Sequence, residues 1–459
     1  MRTSSGRAIG SGSLVAATMA LTLLGIGATP AHAETVRDQQ WHLDAMKADE
    51  MWKVSKGEGV IVAVLDSGVD DTIPDLRGQV LPGKDYSLLS GDENNDIDDH
   101  GTGMAALIAA TGARGAVQGS FGLAPKAKIL PIRVPYNQER WQQKNRVRET
   151  YSQSMATAIR FAADSKAKII NISVGDSRTP GPELADSVRY ALSKNKLIFA
   201  AVGNTADAGN EVEYPAATPG VVGVGGLDRK ADWWPRSQTG PHVDVAAPAE
   251  STVSACSKNT QLCDGSGTSN ATALASASAA LIWAEHPDWT NNQVLRVMLN
   301  TAGKPKSGEK RTDLIGYGAV RPRIALTTPG DPGPADVYPL PDLAAAEPKT
   351  PSASASSAPA PAEQGKGAES DKPATAAPVA ASDNGSGTGL WIALGVGAAL
   401  LVGGAVVVLV LRARRRGAAL APQPPVMPQY APSYGHRPQP APYQQNPPYG
   451  PPPGPGQTG

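Results

Sequence analysis

The sequence predicts an α/β domain on a mostly parallel central sheet, followed through a low-complexity connection by one C-terminal transmembrane helix. Three observations predict it. Between residues 57 and 327, short runs rich in Val and Ile alternate with segments of helical spacing. Residues 328–389 are dominated by Pro, Ala and Ser. Residues 390–411 read LWIALGVGAALLVGGAVVVLVL, without a charge. Strand and helix in alternation over one long stretch is the pattern of parallel strands covered on both faces by their crossover helices.

Taken from the N-terminus, Arg2 and Arg7 precede a short apolar stretch near residues 14–26, and Ala31-His32-Ala33 follows. A basic start, a short apolar centre and an A-x-A end describe a secretory signal peptide over residues 1–33, cleaved after Ala33. Its apolar part is shorter than the roughly 20 residues of a spanning helix. Residues 34–56 form an N-terminal extension expected to wrap the domain without masking its cleft. Within 57–327, the runs 60–65, 128–134, 167–172, 197–202 and 220–224 read as buried strands, and 103–110, 151–165 and 182–194 as helices. Parallel sheets of this kind carry their sites at the carboxyl ends of strands. Asp66 and Ser173 fall at such ends, and Asn204 lies just beyond one.

The stretch 328–389 is too poor in large apolar residues to bury a core and is expected to be a disordered linker. Residues 390–411 are long enough to cross a bilayer. Arg412, Arg414, Arg415 and Arg416 follow at once, and positive residues stay on the cytoplasmic side. The expected topology is single-pass type I in the cell membrane, with the large domain outside and residues 412–459 inside. That Pro/Tyr-rich tail reads as solvated and extended; a docking peptide is the alternative.

Charge is balanced, 42 Lys+Arg against 42 Asp+Glu, so no global field attracts nucleic acid. No phosphate loop, nucleotide fingerprint or basic-aromatic stripe appears, and neither cofactor nor nucleic-acid partner is expected. Cys256 and Cys263 are the two cysteines, close together in a polar segment. Export permits a disulfide, which is the expected state; free thiols are the alternative, and two ligands support a metal poorly. The acidic loop 92–99 offers oxygens that would suit calcium. It lacks the regular acidic framework of a calcium loop, so a solvated loop is expected and no metal site is assigned. Its charge is expected to raise the pKa of His100 or to attract basic substrate.

Three motifs carry chemistry. Residues 61–68 read IVAVLDSG, residues 99–105 read DHGTGMA, and Gly267-Thr268-Ser269 opens an Ala-rich stretch running to Ala284. A serine hydroxyl is a weak nucleophile and needs a base within hydrogen-bond reach. Histidine takes a proton at neutral pH, and a buried carboxylate fixes its tautomer and stabilises its charged form. Ser269 is therefore read as nucleophile, His100 as general base and acid, and Asp66 as the orienting carboxylate. Taken singly, each has a bland reading, as a strand-end turn former, an N-cap neighbour and an N-cap. Together, and in this order, they point to catalysis.

The segments VAVLDSGVD, DDHGTGMA, INISVG, AAVGN, YPAA and GTSNATA resemble the subtilisin-like serine peptidases over about residues 41–321. With the signal peptide, the C-terminal span and the lead DQQWHLDAM, the architecture is similar to that of the mycosins, membrane-anchored subtilases that accompany type VII secretion. The resemblance implies a subtilisin-like three-layer domain and a serine endopeptidase working through an acyl-enzyme on protein or peptide substrate. It also implies a type VII secretion membrane complex as partner. Asn204 falls at the family's oxyanion position, beside the Ser269 backbone N–H. Ser173, Val174 and Gly175 correspond to the edge that pairs with an extended substrate. Ala200 and Ala201 are expected to line the P1 pocket and Glu213 to stand at its floor, favouring a polar or basic P1 residue. Departures are Ala273, where the family usually has Pro, Ala277, where Gly is common, and the polar Asn270 after the nucleophile. A scaffold role in a secretion assembly and an inactive binding module are the rival readings.

Overall fold

In the computed structural model of the chain, residues 34–136, 146–257 and 261–346 are described. The elements run in this order: α1 Val36–Gln39, α2 Trp41–Met46, α3 Ala48–Met51, β1 Ile61–Asp66, β2 Lys84–Asp85, α4 His100–Ala109, α5 Gly115–Gln118, β3 Lys128–Arg133, α6 Arg146–Asp164, β4 Ile169–Ile172, α7 Pro182–Ser193 and β5 Leu197–Ala201. There follow β6 Val222–Leu227, β7 Val245–Pro248, β8 Thr252–Ala255, β9 Leu262–Gly265, α8 Thr268–Glu285, α9 Asn291–Thr301, α10 Pro322–Thr327 and α11 Pro341–Ala346. Seven strands form one sheet in the order β2-β3-β1-β4-β5-β6-β7, and each adjacent pair is parallel. The fold class expected from the alternation is the one observed. Two expected boundaries move: the helix forecast at 103–110 begins at His100, and the strand forecast at 220–224 runs from Val222 to Leu227. Gly220, with φ +91°, belongs to the turn before that strand.

Strand parity divides the core. Val62 and Val64 of β1 enter the cluster that holds α4, α8 and α9, whereas Ala63 and Leu65 enter the one that holds α7. Such alternation follows from the two-residue period of a strand, and burial on both faces explains the unbroken apolar runs. Helix α8 crosses one face against β4, β5, β6 and β7. It is buried along nearly its whole length, so its sequence lacks the polar stripe of a surface helix. Its alanines allow close approach to the sheet. Its hydroxyls are satisfied internally: Thr272 donates to the Thr268 carbonyl, Ser278 to the Leu274 carbonyl, and Ser276 to Asn171. Ala273 and Ala277, the departures that put helix geometry in question, lie fully buried within an unbroken α8.

Both ends of the domain are stapled down. In the lead, Thr35 and Asp38 close a capping box on α1. Gln40 donates to the carbonyls of Phe121 and Val253, Trp41 Nε1 to that of Ser251 at 2.9 Å, and Trp52 Nε1 to that of Leu123. At the other end, the structure corrects the first part of the expected linker. Residues 328–346 lie on the domain, with Leu340 and Tyr338 packed into its core and α11 closing the segment. Arg296 donates to the carbonyls of Pro332, Pro334 and Val337, and Gln293 to that of Gly333. The signal peptide at 1–33, the rest of the linker to 389, the span at 390–411 and the tail at 412–459 lie outside the described residues. Among the described residues no helix is long and apolar enough to cross a membrane.

The C-terminal segment brings Asp342 and Tyr338 against Asp244. Asp342 accepts the Gly220 N–H at 2.7 Å, and Asp244 accepts the Gly223 N–H at 2.9 Å. Burial raises the Asp244 carboxyl from 3.8 to about 8; the Gly223 N–H and Arg311 oppose this, and the charge of Asp342 adds to it. Burial also holds the Tyr338 hydroxyl well above 10. The folded state therefore keeps a proton that the unfolded chain releases near pH 4, so this group's contribution to stability is lost as pH rises from there towards 8. An Asp244→Asn substitution should make the chain progressively more stable than the parent across that window. Thermal midpoints at pH 5 and pH 8 check this, and a difference that does not grow with pH would refute it.

Candidate active site

The site forms where the carboxyl ends of β1, β4 and β5 meet the N-termini of α4 and α8. Asp66 is the last residue of β1 and His100 the first of α4. His100 Nδ1 lies 2.7 Å from Asp66 Oδ1, which also accepts the Ser67 N–H at 2.8 Å. A carboxylate only accepts, so Nδ1 carries the proton and Nε2 is left as the basic nitrogen. The carboxylate is fully buried, and the imidazole is one-fifth exposed. At Gly101 a side chain would collide with the Gly68 carbonyl oxygen, so glycine is what lets α4 start against the end of β1.

A second carboxylate clasps the same two elements. Asp96 accepts from the Ser67 hydroxyl at 2.7 Å, and from the Thr102 N–H and hydroxyl at 2.7 and 2.6 Å. Burial leads in raising its pKa above the usual carboxylate value. Carboxylates tie the acidic loop down: Asp96 holds α4, Glu93 accepts the Gly83 N–H, and at the surface Asp92 accepts the Asn94 N–H. At His100, burial acts against the imidazolium. The charge and hydrogen bond of Asp66, with the charges of Asp96 and Asp98, outweigh it and hold the ring above its ordinary 6.5.

Ser269 is the second residue of α8 and is buried. Its hydroxyl donates to the Ser173 carbonyl at 2.9 Å, and the Ser173 hydroxyl returns a bond to the Ser269 carbonyl at 3.1 Å. Among the described residues no hydrogen bond joins Ser269 to His100, but both line one cleft of about 490 Å³ with Asp98, Asp99 and Asn204. Asn204 Oδ1 accepts the Thr268 N–H at 2.8 Å and its hydroxyl at 3.0 Å. An N–H can only donate, so the amide orientation is settled, and Nδ2 remains as a donor at the cleft wall.

A second, smaller cleft of about 200 Å³ adjoins the first at Ser269, Asn204 and Tyr136. Ser173, Val174, Gly175, Ala201 and Glu213 line it. Glu213 sits between Gly175 and Gly203, where any side chain would strike its carboxylate, and Gln238 Nε2 donates to it at 3.2 Å. Of the residues expected to form this pocket, Ala200 is the exception. It is fully buried in the α7-side cluster, because alternation along β5 turns it away from the face that Ala201 shares with the cleft.

The wall of the larger cleft comes from the antiparallel pair β8–β9, closed by a Cys256–Cys263 disulfide with Cα atoms 5.9 Å apart. Asn270 Nδ2 donates to the Thr252 hydroxyl at 2.6 Å and the Gly265 carbonyl at 2.9 Å, while the Ser257 N–H donates to Asp99 at 2.9 Å. The polar residue after Ser269 therefore anchors α8 to the hairpin. Sequence reasoning missed Tyr136, which stacks on His100, and Thr268, which holds Asn204. Thr268 stood in the quoted motif; nothing local marked Tyr136.

Residues 57–318 match the Subtilase family. Mycosin-1 of Mycobacterium tuberculosis is 31% identical over 344 residues, spanning 65% of this chain and 75% of its own. Among solved structures, the MycP3 protease from the type VII (ESX-3) secretion system matches with TM-score 0.55 and 30% identity, covering 65% of this chain and 90% of that one. A chain of the periplasmic assembly from the ESX-5 inner membrane complex matches with TM-score 0.55 and 27% identity, covering 74% and 92%. The family match takes in more than half of the chain and all three motifs, so this protein belongs to the subtilase family and is a serine endopeptidase related to the mycosins.

Proposed function

We propose that the chain is an exported endopeptidase, held at the outer face of the cell membrane by one C-terminal span, that cleaves protein substrates in association with a type VII secretion membrane complex. The observation that carries the catalytic part is the Asp66–His100 hydrogen bond of 2.7 Å, opening on a cleft that Ser269 and Asn204 also line. The uncharged run 390–411 with the arginines after it supports the anchor. Likeness to MycP3 and to a chain of the ESX-5 assembly supports the secretion link.

An extended substrate pairs with the edge Ser173–Gly175 and places its P1 side chain in the smaller cleft. The Ser269 hydroxyl leaves the Ser173 carbonyl, gives its proton to His100 Nε2 and attacks the scissile carbonyl. Negative charge on the carbonyl oxygen is met by Asn204 Nδ2 and the Ser269 N–H; in subtilisin, loss of one such donor costs about 10²–10³ in turnover. His100 then protonates the leaving amine. Water, activated by the same imidazole, hydrolyses the acyl-enzyme. Asp66 holds the ring by Nδ1 and stabilises the transient imidazolium.

Likeness to a chain of a membrane assembly also favours a second reading, a scaffold in which cleavage is secondary. The Ser269→Ala variant separates the two: unchanged export with loss of fluorophosphonate labelling means scaffold, whereas accumulation of longer secreted species means protease. The activity requires neutral His100, whose pKa lies above its ordinary value, so the acid limb of kcat/KM should lie above pH 6.5; a limb near the carboxylate range would contradict the assignment of the base. With Glu213 at the floor of the smaller cleft, peptides with Lys or Arg at P1 should be preferred over large apolar ones. Glu213→Gln should cut that preference by about tenfold or more. Equal turnover of Leu and Arg at P1 in the parent would remove Glu213 from the specificity account.

A further inference from the structure

Tyr136 lies three residues beyond the end of β3, outside every motif read from the sequence. Its ring stacks on the His100 imidazole, with centroids 4.6 Å apart and planes 21° from parallel. It also lines both clefts, so it stands at the seam that a bound chain would cross. Asp66 grips His100 at one atom, Nδ1. A single hydrogen bond sets where the ring is but leaves it free to tilt about the bond axis. A second ring lying almost flat against the imidazole restrains that tilt and shields one of its faces from water. The face of a tyrosine ring also attracts a cation more than it attracts the neutral form.

We propose that Tyr136 is a positioning residue for His100, its ring face setting the tilt of the imidazole and favouring the cation formed when Ser269 gives up its proton. This rests on the reading of His100 as general base. The hydroxyl has no part in the proposal; the aromatic face does. The titratable groups that face His100 are Asp66 at the end of β1, Asp96 and Asp98 in the loop before α4, Asp99 at the start of that helix, and Tyr136 itself. All four carboxylates persist when Tyr136 is replaced, so a change in His100 can be read against a constant charge background.

The test compares Tyr136→Phe and Tyr136→Leu with the parent in the full chain. It measures peptide kcat and KM, the pH dependence of fluorophosphonate labelling, and the titration of the His100 ring by NMR. Tyr136→Phe should match the parent throughout. Tyr136→Leu should lower kcat by about 2- to 30-fold with little change in KM, and should move both the labelling limb and the His100 titration to lower pH, since the imidazolium loses its aromatic partner. Three results overturn the proposal: a Leu variant indistinguishable from the parent, a Phe variant as impaired as the Leu variant, or a rise in KM alone, which would make Tyr136 a substrate contact. If the parent itself resists fluorophosphonate, the peptidase reading has failed. The NMR titration then decides by itself: an unshifted His100 in Tyr136→Leu overturns the stacking role, and a downward shift sustains it.

Discussion

The hydrogen bond between Asp66 and His100 is the contact on which the site depends, and it is costly to build. Asp66 is fully buried, and its second oxygen has no hydrogen-bond partner among the described residues. Removing a charge from water without compensation costs several kcal/mol. Here the compensation comes from the Ser67 N–H and from the imidazole, both on the same oxygen. This obliges α4 to begin within reach of the end of β1, and the surrounding residues serve that demand. Gly101 permits the close approach, and Asp96 ties Ser67 to Thr102 across the junction. A buried carboxylate therefore organises the start of α4 as much as it orients the His100 ring.

The second half of the site arrives on α8, and the sheet order explains why the halves meet. Strands β1, β4 and β5 are adjacent and parallel, so Asp66, Ser173 and the Gly203–Asn204 turn emerge side by side. α8 lies across β4 to β7 and delivers Thr268 and Ser269 to that edge. Thr268 holds Asn204 from the same helix turn that holds Ser269, so the proposed donor and nucleophile are referenced to one rigid element. Precise placement on helix and strand termini is what a reacting centre needs, since a misplacement of about 1 Å can cost 10² in rate. The disulfide-closed hairpin adds a third support through Asn270 and Asp99, which neighbour Ser269 and His100 in the chain.

Much of this was legible because it is written locally. The β1 run, the helix carrying His100 and the Ala-rich α8 each announce themselves by period and composition, and each catalytic candidate sits inside its own motif. What escaped depends on contacts between distant segments. Ala200 and Ala201 are the same residue type in the same run, and only the exact strand parity says which one meets the cleft. Tyr136 is a lone aromatic after a strand, significant only because β3 is the neighbour of β1. The segment 328–346 looked like linker because its side chains are mostly small or Pro. Its attachment runs largely through backbone carbonyls accepting from Arg296, Gln293 and Asn292, and composition does not report carbonyls.

Two carboxylate centres make the folded state lose stability as pH rises, while the same rise frees the imidazole. At the active site, Asp66 and its neighbours favour the imidazolium, so protonated His100 strengthens the folded state at low pH. That contribution is lost as pH rises through the folded pKa, and the same rise creates the neutral ring that a general base requires. At the C-terminal segment, burial favours neutral Asp244, and rising pH towards 8 forces charge into a place that also holds Asp342 and Tyr338. Competence and cohesion therefore change in opposite directions across the same interval. On the proposed reading, the lower edge of the working range lies where His100 gives up its proton. Against an ionised Asp244 stand the Gly223 N–H and Arg311 as compensation, at the place where the segment 328–346 brings in Asp342 and Tyr338.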